Sequence, residues 1–247
     1  MLPPLTTEVY AGLGAAGLGL LAGGFAYASR WPGSTIFGTA LIAPGLPVDL
    51  ALTFDDGPNP AWTPKLLDTL ASREVRASFF LLGSFAEAQP QLVERIAAAG
   101  HLIGNHSWSH PDLALRSTDR IHEELKRTQE TLEQITGRRI KYFRPPFGAR
   151  RPAVFRIARS LGLMPVLWNA MTTDWSEPSP ERITSALTVK VDRLAQHGRA
   201  ANIVLHDGNH RDRRGNREPS VTAAALLVDR YIATRRFVTL DEWKAVS

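Results

Sequence analysis

The sequence predicts an α/β fold in which short parallel strands alternate with helices and close into a barrel. From residue 48 onward, short apolar runs alternate with amphipathic stretches of helical periodicity, a rhythm typical of parallel strands joined by crossover helices. In addition, reactive side chains follow the ends of five of the strands. In a barrel these five ends would lie on one rim, whereas in an open sheet only those near a switch point would meet. We therefore expect a barrel.

Length and composition suit one large domain with an N-terminal extension. The chain has 247 residues, of which 44% are hydrophobic, and this is enough for a sizeable core. Its 29 basic and 24 acidic residues give a net charge of +5, but the basic residues are scattered, so we expect no nucleic-acid partner. The chain has no cysteine, which excludes disulfides and thiolate metal sites and leaves the redox compartment open.

The N-terminal 28 residues are predicted to hold an apolar helix. The stretch Val9–Ala28 carries no charge, and at a helical rise of roughly 1.5 Å per residue it matches the bilayer core. We interpret it as a membrane anchor; a cleaved signal segment and a helix outside the membrane are the alternatives, because small residues precede Ser29 and six glycines weaken the helix. Residues 29–47 lack periodicity and are predicted to be a linker, and the folded domain is predicted to span 48–247.

Seven strands and six helices are predicted within that domain. The predicted strands are Asp49–Phe54, Ala77–Leu82, His101–Gly104, Tyr142–Arg144, Met164–Asn169, Asn202–Leu205 and Phe237–Leu240. The predicted helices span 62–72, 87–99, 117–136, 151–161, 180–197 and 219–234. Ser117 is a suitable N-cap for the third helix, Gly137 follows its end, and Pro152 lies in the first turn of the fourth.

Two adjacent aspartates follow the first strand, and two histidines follow the third. Asp55 and Asp56 could simply shape a turn with the Gly-Pro pair after them. Alternatively, one carboxylate binds a metal while the other serves as a general base. His106 and His110 are four residues apart and can reach one ion if the segment is turned. Together with one aspartate they would leave coordination positions open for water and substrate. Zinc fits these ligands, although ligand type alone does not select it over cobalt, nickel, iron or manganese.

The fourth and sixth strands also end in polar groups. Two prolines after Arg144 would hold that side chain in a rigid extended loop and leave the Phe147 N–H free to point at a developing oxyanion; a purely structural loop is the alternative. His206 ends the sixth strand, where it could be a core histidine, a residue behind the site or a general acid.

Three tryptophans lie beside these clusters, and they suit the apolar faces of sugar rings as well as a protein core. They are Trp108, Trp168 and Trp175. The other histidines are interpreted as structural or exposed, namely His101, His122, His197 and His210. Residues 210–217 are predicted to form a solvated loop over the rim, with substrate contact as the alternative.

The order of these motifs resembles the polysaccharide deacetylases of carbohydrate esterase family 4, which share the homology domain of the nodulation chitooligosaccharide deacetylases. The resemblance spans roughly residues 48–243. The motifs, in order, are Thr53-Phe-Asp-Asp-Gly-Pro58, His106-Ser-Trp-Ser-His110, Arg144-Pro-Pro-Phe-Gly148, Asp174-Trp175 and Leu205-His-Asp207. The resemblance implies a distorted (β/α) barrel and metal-dependent removal of acetyl groups from N-acetylglucosamine or related sugars.

The resemblance also implies a role for each matching residue. The metal ligands would be Asp56, His106 and His110, with Asp55 as the catalytic base and His206 as the acid. Arg144 would orient the base, the Phe147 N–H would support the oxyanion, and Asp174 would hold and tune His206. The predicted substrate contacts are Trp108, Trp175 and Leu205. Met171 departs from the family, which often has an aspartate there, so support of the acid would rest on Asp174 alone.

We also expect a particular set of partners and a particular cellular location for the protein. We expect a divalent metal, zinc before cobalt or nickel, an acetylated glycan substrate and a monomer. The N-terminal segment favours a cell-envelope location, either membrane-anchored with an extracytoplasmic catalytic domain or secreted after cleavage. Peptidoglycan and chitooligosaccharide are the expected substrates. O-acetylated xylan as the substrate and a catalytically silent wall-binding protein are the alternatives.

Overall fold

One curled parallel sheet forms the centre of the protein, of which a computed structural model describes residues 22–243. The strands are β1 (Asp49–Gly57), β2 (Ser78–Leu81), β3 (Leu102–Asn105), β4 (Tyr142–Phe143), β5 (Met164–Pro165), β6 (Ala170–Met171), β7 (Ala201–His206) and β8 (Arg236–Phe237). Their order is β5-β4-β3-β2-β1-β7-β6, with β8 also paired to β1, and every pairing is parallel. The sheet therefore curls into an incomplete barrel, which confirms the predicted fold class.

Helices connect the strands and cover the outside of the sheet. They are α1 (residues 22–30), α2 (Thr63–Ala71), α3 (Gly83–Glu87), α4 (Pro90–Ala98), α5 (Thr118–Thr136), α6 (Pro152–Ser160), α7 (Pro180–Gln196) and α8 (Glu218–Tyr231). Short 3-10 turns occupy Leu113–Leu115, Pro146–Gly148 and Leu240–Glu242. Ser117 caps α5 by accepting a hydrogen bond from Arg120 N, and Gly137 ends it in the left-handed conformation. The predicted helix at 87–99 is observed as α4, and α3 is an additional short helix before it.

Side chains along β1 alternate between the outer face of the sheet, which is hydrophobic, and the barrel interior, which is polar near the C-terminal end of the strand. Leu50, Leu52 and Phe54 belong to the large core between sheet and helices, whereas Ala51 belongs to a smaller cluster inside the barrel. Thr53 and Asp55 follow Ala51 on the same inner face, because successive residues of a strand point to opposite sides. The barrel interior is thus apolar at the beginning of β1 and polar at its end, where the reactive groups lie.

The predicted fifth strand, Met164–Asn169, is observed only at its beginning, as β5, and β6 follows it at the opposite end of the sheet. After β5, Val166 pairs with Leu41, which comes from the N-terminal segment. The amide of Asn202 then donates to the carbonyls of Leu167 and Ile42, each at 2.8 Å, and the chain crosses to β7. Residues 41–42 thus contact both the residue after β5 and Asn202 of β7.

The segment predicted as a linker, residues 29–47, packs against the barrel. Arg150 is fully buried, and its guanidinium donates to the carbonyls of four residues. The acceptors are Ser29, Trp31, Ser34 and Gly148. These bonds tie the N-terminal segment to the loop that carries Phe147.

The predicted membrane helix lies largely outside the described residues. Of Val9–Ala28, only residues 22–28 are described, and they belong to α1. Within residues 22–243, no helix combines the length and the apolar character that a membrane crossing requires.

Candidate active site

Asp55 and Asp56 face the same cleft although they are neighbours at the end of β1. In a regular strand they would point to opposite faces. The pairing with β2 is irregular between Asp55 and Gly57, and Asp56 adopts a positive φ of 70°, which turns its side chain back towards the cleft. Gly208 makes this turn sterically feasible, since a Cβ there would lie 1.8 Å from Asp56 O. The predicted pair of carboxylates is therefore assembled by a local break in the strand.

Asp56, His106 and His110 form a buried cluster with the geometry of a metal site. Their ligand atoms lie within 4.8 Å of one another, and the Asp56 Oδ1 atom lies 3.4 Å from His106 Nε2 and 3.1 Å from His110 Nε2. This oxygen is buried and accepts no hydrogen bond from the described residues. A buried carboxylate oxygen without a donor, facing two imidazole nitrogens, fits a divalent cation.

Hydrogen bonds behind the cluster fix the orientation of its side chains. His106 Nδ1 lies 2.8 Å from the carbonyl oxygen of Arg144, so its Nε2 is left to face Asp56. The turn after His106 is held by Glu124, whose Oε2 accepts the N–H groups of Trp108 and Ser109 at 2.8 Å. His110 has a positive φ of 59°, and its N–H donates to Ser107 Oγ. The two histidines are thus brought together by a strained non-helical turn.

The protonation states of the cluster suit a cation. Burial would raise the pKa of Asp56, but the adjacent imidazoles of His106, His110 and His210 hold it well below its usual range. Burial lowers the pKa of His110, although Asp56 opposes that shift. An ionised carboxylate and a neutral imidazole are the forms that bind a divalent metal.

Arg144 lies behind Asp55, as the sequence predicts. Its Nη1 donates to Asp55 Oδ1 and to Thr53 Oγ1, both at 2.7 Å, and the guanidinium is completely buried. Burial lowers the pKa of Arg144, and the charge of Asp55 opposes this effect. Asp55 Oδ2 faces the cluster instead and lies 3.9 Å from His106 Nε2. One oxygen of Asp55 is therefore anchored, and the other points towards the candidate metal site.

His206 and Asp174 form a second pair at the end of β7, where His206 is the register partner of Asp55 on β1. Asp174 Oδ1 lies 2.9 Å from His206 Nδ1, while Oδ2 accepts the His206 N–H at 2.8 Å and the Ser220 hydroxyl at 2.7 Å. Burial would lower the pKa of His206, but the charge and hydrogen bond of Asp174, with smaller contributions from Asp56 and Asp55, raise it to about 9. His206 is therefore predominantly an imidazolium at neutral pH in the absence of a metal, and its Nε2 is free of the Asp174 bond.

Phe147 presents both its ring and its backbone to the cleft. It has a positive φ of 57°, and its N–H donates no hydrogen bond within residues 22–243. The ring packs edge-on against His110 with centroids 4.5 Å apart. The loop after Arg144 is therefore strained, as is common at functional sites, and it leaves one N–H donor available.

These groups line a cleft of about 520 Å³, a volume typical of ligand sites. Its apolar walls come from Phe147, Trp168, Met171, Trp175 and Val204. Trp175 is 46% exposed and meets the His206 ring edge-on at 5.3 Å. A smaller cavity of about 390 Å³, near the beginnings of β3 and β4, includes none of the predicted site residues.

Trp108 and Leu205, two predicted substrate contacts, do not line this cleft. The Trp108 ring packs near Gly83 and Thr128 and beneath the Arg127 guanidinium, which lies 3.6 Å from the ring centroid. Leu205 is fully buried in the core between sheet and helices. Because side chains alternate along β7, Val204 and His206 face the cleft and the residue between them faces outward.

Two residues of the cleft were not expected at the site. His210, interpreted from the sequence as structural or exposed, lines the cleft with its Nδ1 3.3 Å from Asp56 Oδ2. Arg217 is nearly buried and donates to Gly208 O, which pins the loop after β7. Only proximity to the His206 motif could have drawn attention to His210 and Arg217. Asp207, which belongs to that motif, lies outside the lining of the cleft and accepts a hydrogen bond from the Thr63 hydroxyl. Burial raises the pKa of Asp207 to about 7.

Comparisons with known proteins relate the whole domain to one family. A sequence model described as polysaccharide deacetylase matches residues 46–166. The chain is 43% identical over 137 residues to a peptidoglycan-N-acetylglucosamine deacetylase of Bacillus cereus, a match covering 56% of this chain and 50% of that protein. It is 38% identical over 172 residues to a chitooligosaccharide deacetylase of Rhizobium leguminosarum bv. trifolii, covering 68% of this chain and 75% of the relative.

A solved structure agrees with these matches. The crystal structure of the Bc1960 peptidoglycan N-acetylglucosamine deacetylase superimposes with a TM-score of 0.74 at 34% identity, covering 84% of this chain and 93% of that one. The match to the Bacillus cereus protein extends over only half of that relative's length.

Proposed function

The chain belongs to the polysaccharide deacetylase family, and from that premise we propose that it hydrolyses N-acetyl groups on N-acetylglucosamine-containing polysaccharide, either peptidoglycan or chitooligosaccharide. The observation that carries this proposal is that Asp55 and His206 line one cleft with the Asp56 cluster, each held by its own buried partner. Hydrolysis of an amide needs a group that takes a proton from water and one that protonates the leaving amine, and the cleft offers both.

Asp56, His106 and His110 would hold a divalent cation, which we propose to be Zn²⁺, with Co²⁺ or Ni²⁺ as the other candidates. The unpartnered Oδ1 of Asp56 and the Nε2 atoms of the two histidines are the donors. When bound, such an ion polarises the acetyl carbonyl and makes water more acidic.

Asp55 is proposed to take the proton from the attacking water at Oδ2. Arg144 occupies Oδ1 through a 2.7 Å hydrogen bond, so Oδ2 is the free oxygen and faces the cluster. Because the guanidinium is buried and also anchored to Thr53, it restricts rotation of the Asp55 carboxylate. Arg144 is thus a positioning residue, which keeps the base aimed at the water.

His206 is proposed to deliver a proton from Nε2 to the leaving nitrogen. Asp174 holds Nδ1, which leaves Nε2 as the outward donor, and the raised pKa keeps the ring protonated at neutral pH. The support that Met171 cannot provide is supplied by Asp174, which accepts three hydrogen bonds in this region.

The Phe147 N–H is proposed to donate to the oxygen that becomes negatively charged as water adds to the acetyl carbon. A backbone donor suits this task because it needs no reorientation during the reaction. The products are acetate and the free amino sugar. Trp175 and Val204 offer apolar surface for the sugar ring and the acetyl methyl group.

We propose a cell-envelope location on separate grounds. The uncharged stretch Val9–Ala28 has the length of a membrane anchor and also resembles a signal segment, and the named substrates of the relatives above are peptidoglycan and chitooligosaccharide. Residues 1–28 would then tether the domain to the membrane or direct its secretion.

An acetate-release panel tests the function. Protein stripped of metal is reconstituted with Zn²⁺ and supplied with peptidoglycan, chitin oligomers or acetylxylan, with and without chelator. We expect acetate from at least one of the two N-acetylated substrates and its loss with chelator. Release from acetylxylan alone would favour an O-acetyl esterase, and glycan binding without any release would favour a silent binding protein.

A further inference from the structure

His210 lies directly over the candidate metal site, on the loop between β7 and α8. Its Nδ1 is 3.3 Å from Asp56 Oδ2, whereas Asp56 Oδ1 faces His106 and His110. The two oxygens of Asp56 therefore have different neighbours. Within residues 22–243, no group other than His210 makes a hydrogen bond to this carboxylate.

Packing fixes the position of the His210 ring. It stacks on His110 with centroids 4.1 Å apart and planes 14° apart, and it meets Phe147 edge-on at 5.7 Å. The loop itself is anchored on both sides of His210. Arg217 Nε donates to Gly208 O at 2.5 Å, and Asn59 Nδ2 donates to Gly215 O at 3.0 Å. His210 is therefore held in place by the fold and is only 25% exposed at its side chain.

Asp56 needs such a partner because its backbone does not fix its side chain. With a φ of 70° it lies outside the regular strand, and the pairing with β2 is interrupted at this residue. A carboxylate in that position can rotate about its side-chain bonds unless a donor holds it. Carboxylates that bind metals are usually hydrogen-bonded by a residue behind them, which fixes their orientation.

We propose that His210 is a positioning residue of the metal site: its Nδ1–H donates to Asp56 Oδ2 and thereby presents Oδ1 to the ion. This inference rests on the metal site of the proposed function but not on the identity of the glycan. His210 lies in the stretch that the sequence predicts to be a solvated loop, so its contribution is separate from the motifs that relate the chain to its family.

Metal affinity tests the inference without reference to turnover. We compare the wild type with His210→Ala, which removes the donor, and with His210→Asn, whose amide nitrogen can occupy the place of Nδ1. His122→Ala, an exposed change on α5, is the matched control. Zn²⁺ affinity is measured by competition with a chromophoric chelator, and the coordination sphere is followed through the visible absorption of the Co²⁺-substituted full chain. Thermal unfolding of each metal-free variant verifies folding.

We expect His210→Ala to weaken Zn²⁺ binding by about 10- to 100-fold, as for other residues that hold a metal ligand. His210→Asn should restore most of this affinity, and His122→Ala should behave as the wild type. The Co²⁺ band positions should be retained in His210→Asn, because the ligands themselves are unchanged.

Two results would overturn the inference alone while leaving the metal site in place. One is wild-type affinity in a folded His210→Ala protein. The other is a His210→Asn protein with weak binding and shifted Co²⁺ bands, which would make His210 a direct ligand. A wild type that binds neither metal would overturn the proposed function and, with it, this inference.

Discussion

Replacing Asp174 by Asn should lower the pKa of His206 and remove the proton donor at neutral pH. Asp174 accepts from His206 Nδ1, from the His206 N–H and from Ser220 Oγ. Asparagine has one acceptor oxygen where aspartate has two. If the amide nitrogen of the new asparagine faces His206 Nδ1, Nδ1 must accept a hydrogen bond, and the ring is held neutral. If the amide nitrogen faces the His206 backbone N–H instead, two hydrogen-bond donors face each other. Both arrangements disfavour the imidazolium.

The size of the effect follows from the pKa values. A pKa of about 9 against an ordinary 6.5 corresponds to roughly 3 kcal/mol in favour of the imidazolium. If the substitution returns the pKa to 6.5 or below, the protonated fraction at pH 8 falls by about 30-fold. The descending limb of the pH profile should therefore move down by about 2.5 pH units, and kcat/KM at pH 8 should fall about 30-fold. A bound cation would reduce the part that comes from Asp55 and Asp56, but not the part from Asp174.

Two measurements check this prediction. One is the pH profile of kcat/KM for acetate release, and the other is an NMR titration of His206 in the metal-free protein. Ser220→Ala is the matched control, because it removes one hydrogen bond from Asp174 and retains the charge. An Asp174→Asn profile that superimposes on the wild type would refute the assignment of His206 as the acid held by Asp174.

The interaction of His206 with Asp174 also makes the stability of the metal-free protein depend on pH. Because the folded pKa of His206 is raised, its stabilising contribution is fully present below about pH 6.5 and is lost as pH rises through about 9. Urea unfolding of the wild type and Asp174→Asn should therefore differ more at pH 6 than at pH 10. A difference that grew with pH would contradict the sign of this linkage.

Three further predictions concern the neighbours of the site. Arg144→Gln should lower kcat by about 100-fold through misorientation of Asp55, while Zn²⁺ titration gives near wild-type affinity; an equal loss of metal would contradict its assigned position. Leu205→Ala should lower the free energy of unfolding by about 2–5 kcal/mol, whereas Val204→Phe should fill the cleft and raise KM. A raised KM for Leu205→Ala with unchanged urea unfolding, or a destabilised Val204→Phe with unchanged KM, would show that the two faces of β7 are misassigned. Arg150→Met should remove the guanidinium hydrogen bonds to four carbonyls, two of which also accept a backbone N–H, and lower the free energy of unfolding by about 1–3 kcal/mol. An unchanged urea midpoint would show that the N-terminal segment is not held by this residue.

The fold and most of the polar cluster could be predicted because they depend on local patterns. Short apolar runs separated by amphipathic helices give the parallel sheet, and a polar motif at each strand end places its residues on one rim. Arg144 beside Asp55 and Asp174 beside His206 follow from that placement once the motifs are aligned with the family.

The errors arose where side-chain direction depends on contacts distant in sequence. Leu205 lies next to His206, but strand alternation turns it outward and gives the cleft wall to Val204. Trp108 sits in a turn that Glu124 holds from α5, and that turn directs its ring away from the cleft. His210 lies in a loop between β7 and α8, where no hydrophobic periodicity indicates the direction of a side chain. Its position depends on a contact of this loop with Asp56.

The central claim is that Asp55 moves the proton while Asp56, its neighbour in sequence, holds the metal. Acetate release from N-acetylglucosamine oligomers by Zn²⁺-reconstituted wild type and Asp55→Asn, with bound metal determined on the same samples, tests this claim most directly. The account predicts that Asp55→Asn binds Zn²⁺ as the wild type does and loses about 10²- to 10⁴-fold in turnover, the usual contribution of a general base. Wild-type turnover by Asp55→Asn, or a loss of metal that matches its loss of activity, would contradict it.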